Sequence, residues 1–543
     1  PEELQQQRFY LYLALTKPSE MLCLSCSETD PNGAALKPSF LLRTVSRLFP
    51  RLETVREGKA AVREIETPLD GLHELPLVLA ETLSEDEQTD YLELYRSLVL
   101  HDPDNPGCAL LTEAAAARKP ADHIGEKNAL ALYGPSLKGS VTRLEKFASC
   151  AFSHFAAYGL RLSERAEFTY SGMDRGNVLH EALETYAGKV RQSGRLWQDL
   201  SSEERDHLAD TCIENAAATY SGRLLHDSAG MEYELVRLKR MMRRTVEVLT
   251  LQLSHGDFVP SGFEVDFREN DFLSLEEQDP SRRISMILNG KIDRIDICET
   301  EGSVLVKIID YKSGTTKFDL SQIYYGLQLQ LVLYLKAALN LSRRRTGKEP
   351  LPAGIFYYNI DDPVIDADPN ATEEEKLAAF MEKLKPNGVL SEEREVLARL
   401  DRDLYAGQND SLVIPVSLTK KGIPKATSGT IPQDGFDLLM RFAQKKAAEI
   451  ACDIMSGKAD ADPYRMKNSS ACDFCPYLSV CGLDRRIPGY HFRDLEKQKN
   501  DDIWQAMETD LNAGTASVPE DQTSENTAGP EAEGKEESHA VDR

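Results

Sequence analysis

Val306-Lys307-Ile308-Ile309-Asp310-Tyr311-Lys312-Ser313-Gly314 is the stretch on which the reading of this chain turns. It is an apolar run that ends in an acid and a base. Its β-branched residues predict a strand. In a strand, residues i and i+2 point to the same face, so Asp310 and Lys312 sit side by side. Charges at the end of a strand buried by its apolar neighbours are costly unless they have a task. Just upstream, Gly290-Lys291-Ile292-Asp293-Arg294-Ile295-Asp296 reads as a neighbouring strand, and Asp293 offers a second carboxylate. Two carboxylates with open positions suit Mg²⁺ or Mn²⁺, hard cations that keep waters for chemistry.

Two helical patterns flank these strands. Gly176-Asn177-Val178-Leu179-His180-Glu181-Ala182-Leu183-Glu184 places His180 and Glu184 on one face, and His180 is a candidate third metal ligand. Gly326-Leu327-Gln328-Leu329-Gln330-Leu331-Val332-Leu333-Tyr334 places Gln330 and Tyr334 four apart, to position a nucleic-acid backbone or the lysine. Alone, each motif is common: Asp-x-Lys is usually an exposed ion pair, and a lone helical histidine is usually structural. Their order together is informative. The series Gly-x-x-x-His, Gly-x-x-Asp-Arg-x-Asp, Asp-x-Lys, Gln-x-x-x-Tyr resembles the RecB-like branch of the PD-(D/E)xK nucleases. The resemblance implies an α/β restriction-endonuclease-like domain with helical additions. It implies Asp293, Asp310, Lys312, Gln330 and Tyr334 as catalytic residues, and His180, Asp293 and Asp310 as ligands to Mg²⁺.

Ten cysteines in a soluble chain without a signal-peptide pattern favour free thiols or metal ligands over disulfides. Cys472, Cys475 and Cys481 give three thiols in ten residues, and Cys150 stands alone far upstream. Four thiolates can hold Zn²⁺ or an iron–sulfur cluster, and spacing does not choose between them. One cysteine before the nuclease core and three after it resembles the staple of the AddB family, which belongs to bacterial helicase–nucleases. That likeness implies a structural [4Fe–4S] cluster. The other cysteines read as ordinary thiols.

The net charge of −25 argues weakly against bulk nucleic-acid binding, but much of it is local. Residues 501–543 hold twelve acidic residues against Lys535 and Arg543, leaving −15 elsewhere. No apolar run is long enough to span a membrane. Residues 491–543 are expected to be a disordered acidic tail. The core of the nuclease domain is expected over 126–490, with an insertion at about 362–410. Residues 51–125 read as a helical connector. Residues 1–50 open on a strand-like run, Phe9 to Lys17, and a second, Met21 to Cys26. They resemble the end of a superfamily 1 helicase-like domain, as if the chain were part of a longer protein. In active helicases of that type the matching strand ends in Thr-Arg. Here it ends in Thr16-Lys17, and lysine lacks the planar guanidinium fork.

The AddB likeness reaches to about residue 490. It implies a cytoplasmic heterodimer with an AddA-type helicase–nuclease that uses ATP, whereas no phosphate-binding loop occurs in this chain. It also implies single- and double-stranded DNA ends as substrates, cleavage of the 5′-ended strand, double-strand break repair by recombination, and a Chi response. Two other readings compete: a catalytically silent, cluster-stapled DNA-binding protein, and a stand-alone nuclease of the Cas4 type. The intact Asp293, Asp310 and Lys312 argue against the first, and the helicase-like residues against the second.

Overall fold

The computed structural model describes residues 2–28, 35–52, 65–79, 85–102, 105–116, 119, 122–165, 170–219, 228–267, 285–365, 372–467, 469–485 and 487–513. The chain divides into two units, Pro1–Ala117 and Arg118–Arg543. The boundary expected near residue 50 is therefore not a boundary between compact units.

The first unit is helical: α1 (Glu2–Thr16), α2 (Phe40–Leu48), α3 (Pro68–Leu79), α4 (Glu85–His101) and α5 (Pro106–Ala116). Leu75, Tyr91, Leu98 and Cys108 form its small core. The run from Phe9 to Lys17 is not a strand but most of α1, and Lys17 follows its last turn. The reason lies in composition. From Phe9 to Leu15 the run has no β-branched residue, and its Leu and Ala extend a helix begun by Glu and Gln. Met21 to Cys26 pairs with no strand among the described residues.

The second unit is built on a six-stranded mixed sheet. Its strands are β2 (Val259–Phe267), β4 (Gly290–Glu299), β5 (Ser303–Lys312), β6 (Glu349–Asn359), β7 (Asn387–Ser391) and β8 (Thr430–Ile431), in the order β2-β4-β5-β6-β7-β8. A separate parallel pair joins β1 (Ser136–Gly139) to β3 (Ser285–Leu288). The helices leading in are α6 (Glu126–Tyr133), α7 (Val141–Ser149), α8 (Ala151–His154), α9 (Gly172–Gln192), α10 (Ser202–Thr219) and α11 (Ala229–His255). Between β5 and β6, which are parallel, lie α12 (Leu320–Tyr324) and α13 (Gln330–Thr346). The helical pattern read over Gly326 to Tyr334 thus falls at the junction of two helices. Gly326 separates them with φ +79°, and a Cβ there would crowd Ile450 and Ala148.

The alternation of β5 sorts two cores onto the two faces of the sheet. Leu305, Ile309 and Tyr311 join the core of α9, α10 and α11. Val306 and Ile308 join the core of α7, α13 and α16 (Gln433–Ser456). Asp310 and Lys312 belong to this second face by the same period of two.

The segment 362–410 carries α14 (Glu373–Lys383), β7 and α15 (Arg394–Leu400). It does more than decorate the domain, because β7 pairs antiparallel with β6 and widens the sheet. The cysteine-rich segment includes α17 (Leu478–Cys481) and hangs on a small sheet of β9 (Tyr464–Met466), β10 (Ser469–Ser470) and β11 (Arg493–Asp494). The tail expected to be disordered from 491 is ordered further. β11 is followed by α18 (Asn500–Ala513), whose Ile503 and Met507 are buried in the α16 core. These apolar residues stand four apart, a periodicity that the acidic composition obscured. Residues 514–543 of the expected tail lie outside the described residues. Among the described residues, no helix is long and apolar enough to cross a membrane.

Candidate active site

The site forms where the β4–β5 ladder stops. Its last pair is Arg294 with Ile309, which leaves Asp293 beside Asp310 with the backbone N–H of Tyr311 free. Asp293 takes that donor: Tyr311 N–H donates to its Oδ2 at 2.8 Å. The carbonyl of Tyr311 accepts from His180 Nε2 at 2.9 Å, across from α9. A carbonyl only accepts, so Nε2 carries the proton and a neutral ring presents its Nδ1 lone pair to the site. Nδ1 lies 3.5 Å from Asp293 Oδ2 and 3.6 Å from Glu264 Oε1. Glycines allow these approaches. A Cβ at Gly176 would meet Ser313 Oγ at 2.9 Å, and one at Gly290 would meet the Tyr334 hydroxyl at 2.9 Å.

On the other side of Asp310, three polar groups close a ring. Lys312 Nζ lies 2.6 Å from Asp310 Oδ2. It also donates to Gln330 Oε1 at 3.1 Å, and Gln330 Nε2 donates to Asp310 Oδ1 at 2.9 Å. The buried Oδ2 of Asp310 has the Lys312 ammonium as its ion-pair partner. Tyr334 is buried and packs its ring edge-on against Phe267, supporting Gln330 rather than facing solvent.

The charges are unbalanced. Burial, then the neighbouring Asp310, push Asp293 up to about 7. Burial also raises Asp310, against the pull of Lys312. Burial disfavours a charged His180, but Glu264, Asp293 and Asp310 outweigh it and raise its pKa. Acids that resist ionisation around an imidazole lone pair are what a divalent cation relieves. His180, Glu264 and Asp293 offer ligand atoms within 4.8 Å of one another. The donor set fits a hard divalent cation.

Glu264 was not anticipated from the sequence. The register pairs Phe263 with Arg294 and Val265 with Ile292, which sets Glu264 opposite Asp293. It holds φ +46° just past a bulge at Pro260/Gly262. The available signal was a carboxylate among the apolar alternation of Phe263, Val265 and Phe267. Arg294 and Asp296, the rest of the Asp-Arg-x-Asp motif, do not enter this site. They form a buried bidentate pair at 2.6 and 2.9 Å, with Lys307 on Asp296 at 2.9 Å. Arg294 also reaches the Tyr311 hydroxyl at 3.3 Å, anchoring the residue whose backbone holds Asp293 and His180.

The four cysteines lie elsewhere in the unit. Cys150 joins α7 to α8. Ala151 N–H donates to Asp462 Oδ1 at 3.1 Å and Phe152 N–H to the Asp460 carbonyl at 2.8 Å. Arg493 binds the carbonyls of Ala148, Ser149 and Asp462. The Cys472 thiol is pushed up to about 12, by burial and then by Cys150, Cys475 and Cys481, so it senses all three others. Burial pushes Cys150 up to about 11.

This fold and site define a class. Residues 138–482 match the family described as the PD-(D/E)XK nuclease superfamily, and the chain belongs to that superfamily of metal-dependent nucleases. Over nearly all its length the chain is also similar to proteins named as the B component of an ATP-dependent helicase/deoxyribonuclease. The one from Lachnoclostridium phytofermentans is 34% identical over 91% of this chain and 42% of its own length. Those from Caldanaerobacter subterraneus and Alkaliphilus oremlandii are 31% and 30% identical, over 93% and 92% of this chain and 44% of their own. The chain spans less than half the length of these relatives.

Proposed function

We propose that this chain is the nuclease-bearing part of an AddB-type component of a bacterial helicase–nuclease, and that it hydrolyses single-stranded DNA as a Mg²⁺-dependent exonuclease. The observation that carries the reading is the joining of Asp293, Asp310, Lys312 and Gln330 at one strand end beneath His180. Mn²⁺ fits the same donors. When bound by His180, Asp293, Asp310 and Glu264, the cation supplies charge neutralisation at the phosphate and acidifies water. The chain's own groups do the remaining work. Asp310 and Gln330 hold the Lys312 ammonium at the open side of the site, where it stabilises negative charge developing on the phosphate. Tyr311 fixes the tautomer of His180 and the rotamer of Asp293 through its two backbone groups.

Cys150, Cys472, Cys475 and Cys481 hold a structural [4Fe–4S] cluster in this reading. The layout of one cysteine before the nuclease core and three after it, which resembles the AddB family's staple, supports the cluster. The resemblance to AddB supports the rest. It supports an AddA-type partner that supplies ATP-driven unwinding, entry at double-stranded DNA ends, cleavage of the 5′-ended strand and a Chi response. A cytoplasmic role in recombinational repair and a helicase-like origin for residues 1–50 rest on it too. The test is digestion of end-labelled single strands by the purified chain, with and without Mg²⁺. Release of nucleotides from the 5′ end supports the proposal, and intact substrate with Mg²⁺ present refutes it.

A further inference from the structure

Gln330 is the first residue of α13, and neither it nor Leu329 finds a capping side chain on its own helix. The first N–H groups of a helix have no partner within it. Here the partner comes from α7, almost two hundred residues earlier. Glu145 Oε1 accepts from Leu329 N–H at 2.7 Å and from Gln330 N–H at 2.9 Å. A carboxylate at this end also meets the positive pole of the helix. The loop before α13 is gripped at a second point, because Gly326 lies against Ala148 so closely that a Cβ would stand 3.3 Å from it. Both contacts come from the last turns of α7, and α7 ends at Cys150.

We infer that Glu145 is a positioning residue for the cleavage site: it fixes the first turn of α13 so that Gln330 holds Asp310 and Lys312 together. The inference rests on the nuclease reading above. Glu145 belongs to none of the four motifs that define the site. Its effect runs through Gln330, whose amide bridges Asp310 Oδ1 and Lys312 Nζ. A turn of α13 freed from Glu145 carries the Gln330 side chain with it, and the lysine loses one of its two holds. The same helix links the cysteine site to the strand that cleaves, through five residues from Glu145 to Cys150. Loss of the cysteine site then slows cleavage as well as loosening the fold.

The test uses the full chain with Mg²⁺ and single-stranded DNA, measuring kcat, KM and Tm for Glu145→Ala, Glu145→Gln and Leu144→Ala. Glutamine keeps an acceptor oxygen for both N–H groups. Alanine removes it. Leu144 is a buried neighbour on the same helix and reports the cost of disturbing α7 alone. Glu145→Ala is expected to lower kcat by about tenfold to a hundredfold with KM nearly unchanged. Glu145→Gln is expected to return within a few-fold of the parent, and Leu144→Ala to lower Tm while keeping kcat at permissive temperature. Parental kcat in Glu145→Ala overturns the inference. So does a kcat loss that glutamine fails to rescue, or one that Leu144→Ala matches. Asp310→Ala, run alongside, separates the two claims. If it too cleaves at the parental rate, the nuclease site itself is misassigned and the role of Glu145 falls with it.

Discussion

Glu264, Asp293 and Asp310 crowd three carboxylates around one imidazole, and burial first, then the neighbouring acids, raises the pKa of both aspartates. A second histidine, away from the cleavage site, shows the opposite sign. His154 is fully buried between Tyr158 and Phe147, and its Nε2 accepts from Arg143 Nε at 3.0 Å. Burial, then the charges of Arg143 and Lys146, push its pKa down to about 3. The unfolded chain protonates this ring near 6.5 and the folded chain only near 3. Between those values the unfolded state binds more protons, so stability rises with pH and is lost on acidification. Thermal melts from pH 7.5 to 5 test this against His154→Gln, which keeps an acceptor for Arg143 and does not titrate. The parent should lose Tm more steeply than the variant below about pH 6.5. Equal slopes would contradict the assignment.

The elements show which parts of the chain are legible locally. β5 could be read because its apolar run, period of two and terminal Asp-x-Lys agree. α1 misled because a dense apolar run suits a strand or a helix, and only the lack of β-branched residues separates them. His180, Asp293, Asp310, Lys312 and Gln330 stand in motifs that can be read in the sequence, and the fold brings them together. Glu264 and Glu145 do not, because their partners are set by a bulge and by the packing of α7 on a distant loop. Neither leaves a local pattern. The same applies to α18, which an acidic composition hid. Its Ile503 and Met507 cover α16, Lys445 binds the Asp510 carbonyl, and Lys497 in the preceding segment pairs with Asp319. Truncation after residue 495 therefore removes two buried apolar side chains, whose burial contributes about 1.5–3 kcal/mol each, and uncovers the surface they cover. Tm should fall by several degrees, and Ile503→Asp should reproduce most of the loss in the full chain. An unchanged Tm in both would show that α18 contributes nothing to the fold.

At the scale of the whole molecule, chain segments about three hundred residues apart meet where Ala151 and Phe152 donate to Asp462 and Asp460. The proposed cluster would close that long loop, remove conformational freedom from the unfolded chain and so contribute directly to folding. Metal analysis of the anaerobically purified chain should give about four irons with matching sulfide. Cys150→Ala should lose that iron and lower Tm. One zinc and no iron, or full iron in Cys150→Ala, would contradict the proposed cluster. The proposed cleavage chemistry stands on the strand end that joins Asp310 to Lys312. Its most direct test is a Mg²⁺ titration of single-strand DNA cleavage by the parent, Asp310→Ala and Lys312→Ala, with DNA affinity measured in parallel. The parent should cleave only with Mg²⁺ and stop on chelation. Both variants should bind DNA nearly as well and lose about a hundredfold or more in kcat. Cleavage at the parental rate by either variant would contradict the account.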